Sequence, residues 1–246
     1  MKINNIVVTF WFNKVIDIKN KLNIFEEELK DYFHGINSIG VPADINPEYP
    51  RMTAVSDGGH TKLNISMINL QLMTNFDNNY NHNYSKCFEY IEERTLKIFE
   101  ILSSKLGLNI LYGAIMSMCE IDSNKPVNQI KDNLLSNKMT GDYCEAGIRT
   151  AEIINDKFYR NIVINSAKQI TVTKKMEPGQ NEIIMPLISL TESKVEKESI
   201  IINYELNDKY SFDTNSEYKL KLSNFKEMIS KAKKDIEEDL LKIINK

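Results

Sequence analysis

A cysteine thiolate can attack a carbonyl when a histidine takes its proton. Cys144, in Gly141-Asp142-Tyr143-Cys144-Glu145, is where this chain could attempt that chemistry. No hydrolase signature surrounds it, and any histidine must come from a distant segment. The three histidines, His34, His60 and His82, fall at a helix end, a turn and a loop. None forms the close-spaced pair with which zinc sites usually begin. An enzyme would therefore have to assemble single residues through its fold, with Cys144, His60 and Asp57 as the set. The other thiols, Cys87 and Cys119, are far apart, and an odd total of three without CxxC spacing reads as reduced cysteines.

Asp57-Gly58-Gly59 could cradle an anion, but no helix follows it, and a hairpin turn accounts for it. Adjacent acids such as Glu92-Glu93 and Glu237-Glu238 diverge by about 100° on a helix and do not converge on one proton. The least ordinary polar stretch is Phe76-Asp77-Asn78-Asn79-Tyr80-Asn81-His82-Asn83-Tyr84. Tyrosine, asparagine and histidine supply the stacking and hydrogen bonds of many binding loops. Asp77, Asn78, Tyr80, His82 and Tyr84 are the binding residues expected from sequence. Neither a metal site nor a cofactor is expected.

The 246 residues carry a net charge of −3, without the basic excess of a dedicated nucleic-acid binder. Lys174-Lys175 and Lys231, Lys233, Lys234 make local basic spots, which nearby acids offset. At 42% hydrophobic and 26% charged, the composition is that of a soluble globular protein able to build a core without disulfides. The apolar start is interrupted by Asn4, Asn5 and Thr9 and lacks a signal-peptide pattern, so the expected location is cytoplasmic, with no membrane segment.

The elements that must position these residues follow from periodicity. Residues 3–12 read as a central strand, apolar on both faces, and 17–32 as a helix. The segment 51–55, the Asp-Gly-Gly turn and the run 61–76 read as a hairpin. In that run Leu63, Ile65 and Met67 alternate, and the alternation resumes one residue out of phase at Ile68, Leu70 and Leu72. One long strand with a single β-bulge is the expectation. Ser85 is the expected cap of a helix over 86–106, stopped by Gly107. Residues 108–121 read as a strand and 126–135 as a short helix. Residues 148–154 and 158–172 read as strands around Asn155-Asp156-Lys157. A strand over 182–190 would hold Pro186 at an edge. A charged loop over 191–198 then leads to a strand over 199–206. Asn224 and Glu227 have capping-box spacing for a last helix running to about residue 244.

The fold class is α+β: a curved antiparallel sheet with helices packed on one face. The order of elements repeats as strand, helix, strands, long helix, in halves 1–107 and 108–246 that share one sheet as a single unit.

Three features together resemble a sporadically distributed family of uncharacterised bacterial proteins of about this length. Ser56-Asp57-Gly58-Gly59 precedes a run ending Met73-Thr74-Asn75-Phe76. A helix entered through Tyr84 carries Phe88 to Leu102 and is followed by a long strand. Ser199-Ile200-Ile201-Ile202-Asn203-Tyr204-Glu205-Leu206 leads toward a closing helix. Gly113 to Glu120 holds no arginine, and Asn203 to Glu205 replaces the family's acidic pair. The resemblance implies a fold and transfers no catalytic residue. The expected function is a non-enzymatic binding or protein-interaction subunit, acting on a protein partner or as a homo-oligomer. The open sheet face or the Asn/Tyr loop would be its contact surface. The alternatives are the fold-assembled enzyme and a defence-related or mobile-element protein that binds nucleic acid.

Overall fold

A computed structural model describes residues 1–42, 44–135, 143–176, 188–240 and 242, with backbone alone considered over 171–176 and 188–194. The strands are β1 (Lys2–Phe12), β2 (Asn37–Ser38), β3 (Met52–Val55), β4 (Thr61–Ile65), β5 (Asn69–Asn75), β6 (Ile110–Asp122), β7 (Gly147–Ile154), β8 (Phe158–Met176) and β9 (Ile188–Asn207). The helices are α1 (Leu22–Leu29), α2 (Tyr84–Glu100), α3 (Pro126–Leu134), α4 (Lys209–Thr214) and α5 (Leu222–Lys234). A 3-10 turn, Ile18–Lys21, precedes α1, and π-helical turns Ile101–Lys105 and Asp235–Asp239 extend α2 and α5.

The nine strands among the described residues join one antiparallel sheet in the order β2-β3-β4-β5-β1-β6-β9-β8-β7. The α+β architecture expected from the sequence is thus present. Strand alternation sends Ile6, Val8, Phe10 and Phe12 of β1 to one face, where all are buried. There Phe10 meets Phe225 of α5 at 4.8 Å and Phe99 of α2 at 5.8 Å between ring centroids. Edge-on aromatic contacts of this kind add to the area they bury. Gly113 of β6 leaves room for this cluster, since a Cβ there would lie 3.0 Å from Leu220 and 3.5 Å from Phe10. Leu29 of α1 and Ile130 of α3 join the same core.

The 61–76 run is a hairpin, which corrects the single bulged strand. β4 pairs with β5 from Thr61↔Thr74 to Ile65↔Leu70. The phase slip marks a chain reversal at Ser66-Met67-Ile68-Asn69. Ser66 N–H donates to the Asn69 carbonyl, and the Ser66 hydroxyl accepts from the N–H of Asn69. A serine that satisfies turn N–H groups has this effect.

Other boundaries also moved. Asn83, not Ser85, caps α2 by accepting from Lys86 N–H. The Asn224/Glu227 box does not form, because α5 starts earlier, at Leu222. Asn224 instead donates to Tyr218, and Glu227 pairs with Lys157. The charged segment 191–198 lies inside β9, in register with β8. Strand pairing overrode its polarity. Pro186 and the rest of 182–187 lie outside the described residues, as does Gly141. The short α4 had no counterpart in the sequence reading. Its Phe212 meets Tyr112 and its Tyr210 meets Tyr159, both on the sheet face opposite the core. Gly107 at φ 62° ends the α2 segment as expected, and Asn155 and Asp156, at φ 52° and 49°, form the β7–β8 turn. β8 and β9 stay paired beyond the ends of β6 and β7, as a two-stranded ribbon out to Met176↔Ile188.

Candidate binding site

The loop after β5 is held by its own polar groups. The Asp77 carboxylate accepts from Asn79 N–H at 2.9 Å, and the Asp77 carbonyl accepts from Tyr80 and Asn81 N–H. Aspartate side chains close loops this way. The Asn81 carbonyl accepts from Ile3 N–H, which ties the loop to β1. Of the five expected residues, Asp77 and Tyr80 line a cavity of about 450 Å³. Tyr80 is 48% exposed. Asn78 accepts from Asn81 within the loop, and His82 is exposed. Tyr84 donates to the Met1 carbonyl at 2.5 Å and so anchors the N-terminus.

The rest of the cavity wall comes from elsewhere: Gly58 and His60 in the β3–β4 turn, Asn75 and Phe76 at the end of β5, and Tyr90 on α2. His60 Nε2 and Tyr90 Oη are 2.9 Å apart, and Tyr90 Oη is 2.8 Å from Thr61 Oγ1. Thr61 and Thr74, directly paired across β4 and β5, share the next hydrogen bond at 3.1 Å. Arg94 lies over the Tyr90 ring at 3.5 Å and over Tyr32 at 4.8 Å, while its backbone partner is the Tyr90 carbonyl. A guanidinium on an aromatic face is a favourable stack. The i, i+4 spacing of Tyr90 and Arg94 was legible in the sequence. The meeting of His60 with Tyr90 was not, because no local pattern links residues 30 apart.

The second candidate surface is the sheet face away from the core. Register places Val7 beside Met73 and Met116, and Trp11 beside Tyr112, whose rings stack at 4.6 Å. Met118 pairs with Asn203, which pairs with Val163. Around Met116, Met118 and Val163 the face dips into a depression of about 270 Å³, edged by Asn5, Asn161 and Arg149. Thr9, in the same row, is buried, and its hydroxyl has no partner among the described residues. Buried hydroxyls are normally paired.

The enzyme set is not brought together. Cys144 is exposed and precedes β7, whereas His60 precedes β4. Six strand steps separate those strands, roughly 29 Å at the usual spacing. Asp57 pairs instead with His34 at 2.9 Å. Burial pushes the Cys87 thiol up to about 12 and the Cys119 thiol to about 11, the reverse of activation. Among the described residues no three His, Cys, Asp or Glu side chains are grouped to hold a metal, and no helix is long and apolar enough to cross a membrane. Comparisons with protein-family models, curated proteins and solved structures find no match to this chain.

Proposed function

We propose that this chain is a non-enzymatic interaction subunit that binds a partner protein through its open sheet face. One observation carries the reading. Val7, Met73, Met116, Met118 and Val163 form a contiguous, half-buried apolar surface that no helix among the described residues covers, interleaved with Asn5, Asn161 and Asn203. Flexible methionines suit a surface that repacks against a partner, and side-chain amides suit its polar groups. The face is poor in cations. Among the described residues Arg149 and Lys62 are its exposed basic side chains, and Lys2 and Lys197 are paired with Glu120, which leaves too few for a phosphate backbone. In this reading the two halves form a pseudo-repeat about the β1–β6 pair, and the protein is cytoplasmic. The likeness to the uncharacterised bacterial family belongs to the same proposal and assigns no residue role.

A photocrosslinker at position 118 tests the reading. The expected product joins one specific partner protein, and Met116→Lys with Met118→Lys abolishes it while the thermal midpoint holds. Crosslinks to a second copy of the chain would move the reading to self-association. Salt-dependent capture of nucleic acid, or turnover of a substrate, would overturn it.

A further inference from the structure

The cavity beside the 77–83 loop has one wall that is set in advance. The Tyr90 hydroxyl is engaged by His60 and Thr61, and Arg94, which does not line the cavity, covers the ring from outside. Tyr32 in turn lies against Arg94, and Glu93 contacts Arg94 at 3.5 Å while accepting from the Tyr32 hydroxyl. Phe76 meets the same ring edge-on at 6.2 Å. An aromatic plate fixed at its hydroxyl and on one face loses little freedom when something stacks on the other.

We propose that this cavity binds an uncharged, planar heteroaromatic ring bearing an in-plane amino group, of the nucleobase type. This inference is independent of the open-face reading. Size comes first: about 450 Å³ holds such a ring with a sugar. The walls come next, since Phe76, Tyr80 and Tyr90 offer aromatic surface to any flat ring.

Charge then narrows the class. A cation on the near face of Tyr90 would sit roughly 7 Å from the Arg94 guanidinium and be repelled by it. Asp77 in the cavity wall and Glu93 beside Arg94 offset part of that repulsion, so an alkylammonium ion is the competing ligand that the choline probe tests. An anion fares no better. Asp77 lines the cavity, and among the described residues neither lysine nor arginine does, so a phosphate would meet a carboxylate there without a lysine or arginine to hold it. A neutral ring remains. Asp77 can only accept hydrogen bonds, so it selects a ring with an N–H donor, and the Asn75 amide can both give and accept.

Titration calorimetry and saturation-transfer NMR on the full chain, with adenosine, purine riboside, adenosine monophosphate and choline as probes, test the proposal. Adenosine is expected to bind saturably at micromolar to low millimolar concentration. Purine riboside, lacking the amino group, is expected to bind about tenfold more weakly, the cost of one hydrogen bond. The monophosphate is expected to bind more weakly than adenosine. Tyr80→Ala is expected to weaken adenosine about tenfold by removing a stacking surface. Asp77→Asn is expected to shrink the difference between adenosine and purine riboside. Circular dichroism verifies that both variants are folded. Absence of saturable adenosine binding would overturn the proposal. So would equal binding of purine riboside, preference for choline, or indifference of folded Tyr80→Ala.

Discussion

At the scale of single residues, buried charge is tolerated here where it is answered. Asp235 is fully buried and accepts from Arg160 at 3.0 Å, from Tyr204 at 2.8 Å and from Lys231 at 2.5 Å. These bonds tie β8 and β9 to the end of α5. Asp208 is buried with no cation paired to it among the described residues. It accepts from Gly113 N–H and the Tyr218 hydroxyl, both at 2.6 Å, yet burial still holds its carboxyl above the usual range. Glu120 shows the opposite balance. Burial pushes its carboxyl up, but Lys197, Asn4 and Lys2 together bring it down to about 2. A depressed folded-state value means that the stabilisation is complete above about 4.5 and is lost as pH falls toward 2. Glu120→Gln is therefore expected to cost roughly 2 kcal/mol at neutral pH. Its deficit against the parent should vanish through the acid range. Urea unfolding as a function of pH measures both, and a pH-independent deficit would assign the loss to packing.

At the scale of elements, the sequence located helices and strands well and their ends less well. The apolar stripe Phe88, Ile91, Ile98 and Leu102 identified α2 and its π-helical extension, and all four residues are buried. The cap was misplaced because several residues there, among them Asn83 and Ser85, can cap a helix. Only the backbone geometry shows which carbonyl oxygen meets an orphan N–H. Asn83→Ala is expected to lower stability by about 1 kcal/mol, and Asn83→Asp to retain most of it. Ser85→Ala is expected to leave the cap intact, since that hydroxyl donates to Glu237. Denaturant midpoints of the three variants separate these outcomes. The 61–76 segment shows a related ambiguity. A bulge and a tight turn both shift the alternation by one residue. Only the pairing partner, β5 on β4 or a continuation of the same strand, tells them apart.

At the scale of the whole molecule, the seam where the β1–β6 pair meets α2 and α5 carries the structure. Phe10, Phe99 and Phe225 meet there from three elements, and Phe225 is fully buried. Phe225→Ala is expected to cost about 3–5 kcal/mol, a large share of the stability of an ordinary domain. Thermal unfolding followed by circular dichroism measures it. A loss below about 1 kcal/mol would show that the seam collapses to refill the space. Features that depend on neighbours along the chain could be read from the amino-acid order alone. These are the class of fold, the phase of the amphipathic segments, the glycine stop at Gly107 and the β7–β8 turn. Tertiary structure alone decided what depends on partners remote in sequence. These are the strand order, the uncovered face, the His34–Asp57 pair, the separation of Cys144 from His60, and the closure of the cavity by Tyr90. The reason is physical: local periodicity records which way a side chain points, while the identity of what it meets is fixed only when strands choose their neighbours.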